Sequence, residues 1–259
     1  MTDIVLHGVT RSFRGRDSEI TALDGVDLRI EPGELAVIVG PSGSGKSTLL
    51  DLLAGLDIPT SGQIRIGGEA INGPGLNRGV VFQQYALLPW RTAQANVELG
   101  LEANSASKAQ RRERAREHLD LVGLADFAGH YPHQLSGGMR QRVAIARSLA
   151  FDPDVLLMDE PFGALDAQTR ERLQEQLLDI WQRTGKTVVF ITHDIDEAVY
   201  LGRTVTVLTS RPGRVRETVE IDISERASRE DALRRPEFAE HRHRIWTLLH
   251  SAPEVLGVG

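Results

Sequence analysis

The sequence predicts an α/β fold, in which helices cover a parallel sheet, an antiparallel β layer lies at the N-terminus and a helical segment is inserted. Three observations predict this fold class. Short, wholly apolar runs such as Leu35–Val39 recur along the chain, as is typical of strands buried on both faces of a parallel sheet. Helical patterns separate some of these runs. Apolar residues alternate with polar ones in the N-terminal part.

The composition narrows the classes of protein to which the chain can belong. Its 259 residues suffice for one large domain or a domain with an insertion. The formal net charge of -6 gives no support for nucleic-acid binding, which leaves a basic footprint. The absence of cysteine excludes disulfides and thiolate metal sites. No apolar run approaches the roughly 18 residues of a membrane span, and the N-terminus lacks a secretory pattern. We expect a soluble protein that acts at a membrane only through partners.

The first third of the chain contains strands and one helix. Two strands would each bury one face, formed by Ile4, Leu6 and Val9 in the first strand and by Val26, Leu28 and Ile30 in the second. A Glu-Pro-Gly turn ends the second strand. The next predicted elements are a buried strand, a helix ended by Gly55 and two short strands, at residues 35–39, 47–54, 63–66 and 79–82.

The middle of the chain is helical in pattern. Ser107 and Gln110 have the spacing of a capping box at the start of a helix. Apolar residues then follow at helical spacing, namely Ala115, Leu119 and Val122. Residues 140–149 predict a further helix. We therefore expect an all-helical insert over residues 88–151.

Strands return after the insert. Apolar runs lie at 155–158, 188–191 and 205–208, and a helix is predicted at 167–183 between the first two. The last part is charged, with a helix at 236–250; packing on the core, dimerisation and regulation all remain open as its role. The predicted domains are a core of residues 1–87 and 152–222, a helical subdomain of 88–151 and a tail of 223–259.

A glycine-rich loop joins the strand at 35–39 to the helix that follows it. It matches the pattern G-x-x-x-x-G-K-S, and the candidate binding residues are Gly40, Pro41, Ser42, Gly43, Ser44, Gly45, Lys46, Ser47 and Thr48. Glycines let backbone N–H groups point at phosphate oxygens, and the helix adds its positive dipole end. Lys46 would contact the β- and γ-phosphates, and the Ser47 hydroxyl would bind Mg²⁺. The strand before and the helix after disfavour a chance Gly-Ser turn, so the loop predicts a nucleoside triphosphate with Mg²⁺.

Two carboxylates follow the strand at 155–158. Asp159 at the carboxyl end of a strand, beside a phosphate loop, can hold Mg²⁺ through water. Glu160 can orient an attacking water or accept its proton. The pair therefore indicates hydrolysis rather than phosphoryl transfer to a substrate hydroxyl. Taken alone, an Asp-Glu pair would be read as a solvated strand end.

A second helix start of the phosphate-binding type lies in the insert. Ser136, Gly137 and Gly138 open the helix predicted at 140–149. A triphosphate bound by one loop does not need this second helix start. Two chains packed head to tail would use it, because the turn of one could close over the nucleotide of the other. As an isolated tripeptide it would be an ordinary helix-start turn.

These motifs together resemble the ATP-binding subunit of an ABC transporter over about residues 4–220. The resemblance implies a P-loop NTPase with a RecA-like core. It identifies Gly40–Ser47 as the Walker A loop, residues 135–141 as the signature, and Asp159 and Glu160 as the Walker B pair. Gln83 is similar to the Q-loop glutamine, which implies a catalytic role and a place in the Mg²⁺ shell.

Three further residues take their expected roles from the same resemblance. Asp166 resembles the D-loop aspartate at the nucleotide interface, and His193 resembles the switch histidine that hydrogen-bonds the γ-phosphate. Phe13 falls where the family stacks an aromatic ring on adenine; a strand-end core aromatic is the alternative. Met139 and Gly163 depart from the commonest residues of the signature and D-loop, and neither change is expected to abolish activity.

The resemblance also implies a biological role. A free subunit of this kind, with one nucleotide domain, fits a bacterial importer in which a head-to-tail homodimer binds ATP and Mg²⁺ and drives integral membrane permease subunits. A secreted or periplasmic solute-binding protein would act indirectly, and the subunit would lie peripherally on the cytoplasmic face of the inner membrane. No nucleic-acid partner is expected.

The branch of the family is indicated by longer stretches of sequence. These resemble the nitrate, sulfonate and taurine importers at 73–83, 87–91, 161–166 and 211–214, and the stretch at 73–83 is most similar to the taurine ATPases. Taurine, another alkanesulfonate, nitrate or a different small organic molecule remains open as the solute. Trp90 would lie near the groove for the permease or pack within the insert. The alternatives are a regulatory or assembly ATPase without a permease and, less in keeping with the second helix start, a small-molecule kinase.

Overall fold

The computed structural model describes residues 2–15, 18–102, 106–223 and 229–251, which form two sheets and the helices around them. The first elements in chain order are β1 (Ile4–Arg14), β2 (Glu19–Ile30), β3 (Leu35–Val39), α1 (Lys46–Ala54), β4 (Ser61–Ile66), β5 (Glu69–Ala70), β6 (Arg78–Val81), α2 (Ala93–Leu101) and α3 (Lys108–Leu121). They are followed by α4 (Gly137–Ala150), β7 (Val155–Asp159), α5 (Ala167–Thr184), β8 (Thr187–Ile191), α6 (Ile195–Leu201), β9 (Thr204–Leu208), β10 (Val215–Glu220), α7 (Arg229–Leu233) and α8 (Pro236–His250).

The N-terminal strands form an antiparallel sheet in the order β2-β1-β4-β5, as predicted for this part of the chain. Pairing between β1 and β2 shifts register between Leu6 and Val9. Gly8 lies at this shift with a φ of 57°, a left-handed conformation that costs glycine little because it has no Cβ. The bulge lets Leu6 and Val9, although three positions apart, both lie buried in the core.

The second sheet has the order β10-β9-β3-β8-β7-β6 and is parallel except for the pair β10 and β9. The predicted α/β class with a parallel sheet is confirmed. Sequence patterns did not predict β10 or α6. Only Val219 of β10 is buried, so the strand lacks an apolar run, and α6 is only 7 residues long.

The parallel arrangement brings three chain segments to one edge of this sheet. Strands β3, β7 and β8 run in the same direction and are neighbours through β8. Asp159 at the end of β7 is paired with Ile191 at the end of β8. The residues that follow these strands therefore meet at their carboxyl ends, where open parallel sheets bind ligands.

The insert contains α2, α3 and α4, which pack against one another. The predicted capping box is confirmed: the Ser107 hydroxyl accepts from the Gln110 N–H at 3.3 Å, and the Gln110 side chain accepts from the Ser107 N–H at 2.9 Å. Helix α4 packs on α2 and α3 and also on β6. The predicted boundaries of the helical subdomain at residues 88 and 151 stay a prediction, because α4 contacts the other helices of the insert and also strand β6 of the core.

The C-terminal helices pack against the core, and α8 has the predicted bounds. It contacts α6, β9 and β10 and contains the buried residues Phe238 and Ile245. Arg242 also forms an ion pair of 3.1 Å with Asp196 in the first turn of α6. The predicted tail includes residues 224–228 and 252–259, which lie outside the described residues.

The six-stranded sheet separates two hydrophobic clusters. On one side, Ile38 and Val189 pack in a cluster with α1 and the antiparallel sheet. On the other side, Val37 and Phe190 belong to a cluster that includes residues of α4, α5, α6 and α8. Across the described ranges, none of the helices combines the length and the apolar character that crossing a membrane requires.

Candidate functional site

The loop at 40–45 turns between β3 and α1 with glycines at its strained positions. Gly43 and Gly45 have φ angles of 77° and 84°, which a residue with a Cβ rarely adopts. Gly45 is the N-cap of α1 and supplies no side-chain acceptor. The first N–H groups of the helix therefore lack the usual capping oxygen and can bind an anion instead.

The side chain of Lys46 is hydrogen-bonded to this loop. Its Nζ donates to the carbonyl oxygens of Gly40 at 2.8 Å and Pro41 at 3.1 Å. Burial lowers the pKa of Lys46, and the nearby charges of Glu160 and Asp159 offset this only in part. The ammonium group is thus pre-positioned at the loop, next to two carboxylates.

The loop opens into a cavity of about 580 Å³. Eight predicted site residues line it, namely Ser42, Gly43, Gly45, Lys46, Ser47, Thr48, Glu160 and His193. Four lining residues were not predicted as site residues, namely Ile20, Thr21, Ala22 and Arg211. The first three belong to β2 and carry no chemical signature. Arg211 lies in the stretch that indicated the family branch, but no site role was assigned to it.

Asp159 lies directly beside the loop helix. Burial raises the pKa of Asp159, and the charges of Glu160 and Asp51 raise it further. A hydrogen bond from the Ser47 hydroxyl acts in the opposite direction. The structure therefore joins Ser47 and Asp159, two hard oxygen donors, at the start of α1.

Glu160 and His193 form a hydrogen-bonded pair at the cavity. Nδ1 of His193 lies 3.0 Å from Oε2 of Glu160. Glu160 has a φ of 40°, and its N–H donates to the carbonyl oxygen of Ile191 at 3.0 Å. A left-handed non-glycine residue costs about 1–3 kcal/mol, and such residues cluster at functional sites. The glutamate side chain is 22% exposed and the histidine 66%, so both can reach a bound substrate.

A buried carboxyl group stands behind the histidine and was missed by the sequence analysis. Glu197 in α6 is 4% exposed. It accepts hydrogen bonds from Nε2 of Gln174 at 2.9 Å and from the Thr192 hydroxyl. The Thr192 hydroxyl also accepts from the N–H of Asp194 at 3.1 Å. These contacts hold the backbone on both sides of His193. A glutamate four residues after a histidine does not by itself indicate a buried network of this kind.

Gly40, Pro41 and Ser44 of the loop, and Asp159 beside it, are not among the residues that line the cavity. Four further groups of predicted residues also lie outside it. Gln83 is exposed on the loop after β6. Ser136 caps α4 by accepting from the Met139 N–H at 3.3 Å, and Gly137 and Gly138 form its first turn. Asp166 caps α5 by accepting from the Thr169 N–H at 3.0 Å, and this hydrogen bond lowers the pKa of Asp166. Within one chain, these residues and the loop are therefore not brought together.

Phe13 is the fourth of these groups. It lies near the end of β1 and is 41% exposed, so it is not a core residue. The guanidinium of Arg11 lies over the ring at 4.6 Å from its centroid. Its cross-strand partner Ile20 does line the cavity. Phe13 is thus next to the cavity, with one ring face already covered.

Comparisons with known proteins agree with this geometry. Residues 23–163 match the ABC transporter family. The chain belongs to the ABC transporter family. It is 50% identical to the nitrate import ATP-binding protein NrtD of Synechocystis sp. over 246 residues, which cover 93% of this chain and 92% of that protein. It is 48% identical to the taurine import ATP-binding protein TauB of Pseudomonas entomophila over 249 residues, 95% of each chain. The predicted resemblance to the nitrate and taurine branch of the ABC family is confirmed.

A solved structure of the ABC family shows the same fold. It is a dimeric ATP-binding cassette in a post-hydrolysis state, bound to ADP and Pi, and it matches with a TM-score of 0.74 at 39% identity. The match covers 85% of this chain and 99% of that chain. The predicted P-loop NTPase fold is therefore confirmed, and the chain is an ATPase of the ABC family.

Proposed function

We propose that this chain is the ATP-hydrolysing, energy-coupling subunit of an ABC importer for taurine, another alkanesulfonate or nitrate. The observation that carries the proposal is the Glu160–His193 pair at the mouth of a phosphate-loop cavity. The import ATP-binding proteins that are about half identical to this chain support the importer role. Selectivity for the solute would belong to a binding protein and a permease, which the ATPase subunit serves from the cytoplasmic face of the inner membrane.

The loop residues would hold the triphosphate of ATP. Backbone N–H groups of residues 40–48 would surround the phosphates, and Lys46 would exchange its contacts with Gly40 and Pro41 for phosphate oxygens. Its lowered pKa reflects the burial that such a site needs. Phe13 would stack on the adenine from the edge of the cavity beside Ile20.

Glu160 is proposed to act on the attacking water. Its carboxylate would accept the proton of a water whose oxygen bonds to the γ-phosphorus, while the bond between that phosphorus and the bridging oxygen of ADP breaks. His193 would hydrogen-bond Glu160 through Nδ1 and a γ-phosphate oxygen through Nε2. Gln83 would join the site through a movement of its loop, because it does not line the cavity in this conformation.

The residues beside the loop fit Mg²⁺. Ser47 and Asp159 are adjacent oxygen donors, and burial raises the pKa of Asp159 although Ser47 and Lys46 oppose the shift. No cluster of three or more metal-ligating side chains occurs in the described part of the chain. Phosphate oxygens, water and Gln83 would therefore complete the shell, as is usual for Mg²⁺. When bound, the ion would neutralise charge on the phosphates.

A head-to-tail homodimer is proposed because the site of one chain is incomplete. The turn at Ser136 lies at the start of α4, away from the cavity of its own chain, and its serine side chain is exposed. The matched cassette structure is itself dimeric. In the dimer, Ser136, Gly137 and Gly138 of one chain would close over ATP held by the other, with Asp166 at the interface. Closure would then be driven by contacts that exist only in the closed form.

Replacement of Glu160 tests the proposal. Glu160→Gln keeps the size of the side chain but cannot accept a proton, so ATP should still bind while hydrolysis falls by at least about a hundredfold. The purified variant should form dimers on addition of ATP in light scattering. Glu175→Gln, an exposed position on α5, is the matched control and should hydrolyse ATP normally. Unchanged hydrolysis by Glu160→Gln would disprove the proposed role of Glu160.

The importer role needs a separate experiment. The chain should co-purify with the permease encoded beside its gene, and the assembled complex should raise its ATPase rate in the presence of one of the candidate solutes. A chain that dimerises with ATP but never binds a permease would instead be a regulatory or assembly ATPase.

A further inference from the structure

Arg211 lies against the phosphate loop and lines the same cavity. A Cβ added to Gly43 would be only 2.9 Å from Nε and 3.0 Å from Nη2 of Arg211. The guanidinium therefore rests on the bare backbone of the loop, in the space that a side chain at Gly43 would occupy. It shares the cavity with Lys46 and Ser47.

The turn that carries Arg211 is fixed by its own hydrogen bonds. The Thr209 hydroxyl donates to the Pro212 carbonyl oxygen at 3.0 Å and accepts from the Arg214 N–H at 3.0 Å. The Gly213 N–H donates to the carbonyl oxygen of Ala22 at 2.9 Å, which attaches the turn to β2. The bond to Ala22 places the turn beside the strand that lines the cavity, where the guanidinium of Arg211 is also found.

Arg211 is exposed at the cavity and, within the part of the chain that the structure describes, has no carboxylate partner. Among the ion pairs of the described residues, none includes Arg211, whereas Arg214 in the same turn pairs with Asp24. The carboxylate that lines the cavity, Glu160, is paired with His193. A guanidinium without a carboxylate presents a planar set of N–H donors that matches the oxygens of a phosphate.

We propose that Arg211 is a second cationic contact to the phosphates of bound ATP, in addition to the buried Lys46. The inference rests on the proposed ATP site at residues 40–48 and adds to it a binding residue outside the loop. Nζ of Lys46 donates hydrogen bonds to two carbonyl oxygens of the loop. Arg211 approaches over Gly43 from the turn at 209–214. The Lys46 ammonium and the Arg211 guanidinium would then both contact the triphosphate.

The experiment measures how the full-length chain binds two ligands, ATP and inorganic triphosphate, each used to displace a fluorescent ATP analogue. Arg211→Ala should raise the dissociation constants of both ligands by about tenfold, as expected for the loss of a charge-assisted hydrogen bond. Arg211→Lys should recover part of the loss because it restores a charge. In steady-state assays, KM for ATP should rise while kcat changes little, because the contact serves binding.

The matched control is Arg214→Ala, which removes an arginine of the same turn that does not line the cavity. It should leave both constants unchanged. Arg211→Gln, with thermal unfolding measured in parallel, separates loss of contact from misfolding. The inference is overturned if Arg211→Ala binds ATP normally, or if it weakens ATP but not inorganic triphosphate, since the contact would then be to the nucleoside. Lys46→Ala must weaken both ligands in the same assay; otherwise the proposed ATP site itself is wrong.

Discussion

The side chains of the candidate site depend on buried partners that do not touch substrate. His193 is 66% exposed, yet both of its neighbours in sequence take part in a buried network around Glu197. Glu197 is 4% exposed and accepts from Thr192 and Gln174. Oε1 of Gln174 has no partner among the described residues. The network therefore contains one buried acceptor without a donor, and protonation of Glu197 changes the number of donors in it.

Glu197→Gln should make stability depend less on pH. Burial raises the pKa of Glu197 above its ordinary value of about 4.3. The folded state then holds the proton more tightly than the unfolded chain, so the free energy of unfolding falls as pH rises from about 4.3 through the raised pKa. Glutamine cannot ionise, so this loss is absent from the variant. Urea denaturation should therefore show that the free energy of unfolding decreases less between low and neutral pH for the variant than for the wild type.

The control for this prediction is Glu175→Gln, which alters an exposed carboxylate on the same helix as Gln174. Its stability should follow the wild-type pH dependence. If Glu197→Gln and the wild type lose stability in parallel between the two pH values, Glu197 has the same pKa in the folded and unfolded states. That result would contradict the raised pKa of the buried carboxyl group.

At the scale of elements, helix N-termini carry several of the residues proposed to act on nucleotide. Ser136 begins α4, Asp166 begins α5 and Asp194, next to His193, begins α6. Each side-chain oxygen accepts from an N–H of its own helix. The cap residue thus determines where the helix begins. It also determines where the backbone before the helix can present N–H groups to an anion. In the proposed dimer, Ser136 would exchange or share this bond when ATP arrives.

The cap of α3 allows the contribution of a capping box to be measured away from the site. Ser107→Ala removes the acceptor for the Gln110 N–H and should lower the free energy of unfolding by about 1 kcal/mol. Ser107→Asp can still accept this bond and should retain most of the stability. The measurement is urea denaturation followed by circular dichroism. If the aspartate variant is destabilised as much as the alanine variant, the cap does not account for the effect.

At the scale of the whole molecule, the cavity is assembled from distant parts of the chain. Its lining comes from β2, the loop before α1, the ends of β7 and β8 and the turn at 209–214. The C-terminal helix supports this arrangement from behind, because α8 packs on α6, the helix that begins just after His193. The tail is therefore part of the folded core within the described residues, which settles one of the roles left open for it.

Ile245→Ala tests whether α8 unfolds together with the core. Ile245 is fully buried at 0% exposure, so loss of its side chain should lower the free energy of unfolding by about 2–5 kcal/mol. The adjacent Trp246 is 50% exposed, and Trp246→Ala should have a much smaller effect. One cooperative transition is expected for both variants. A separate early transition in Ile245→Ala would show that the tail unfolds independently.

Much of the fold followed from local patterns. Strands β3, β7, β8 and β9, the capping box at Ser107 and the bounds of α8 were all predicted, because each depends on residues close together in sequence. Helix α6 and strand β10 were not predicted, because one is short and the other buries only Val219. Their stability comes from packing, which sequence periodicity does not report.

Residues adjacent in the chain were sufficient to predict the class of fold, the phosphate loop, the carboxylates after β7 and the ABC transporter family. Which of these side chains share a cavity depends on the three-dimensional fold. It joined Glu160 to His193, placed Glu197 behind them, brought Arg211 onto Gly43 and left Gln83 and Ser136 outside. The physical reason is that strand order, loop approach and burial are set by packing between segments far apart in the chain, and no local pattern encodes the distance between them.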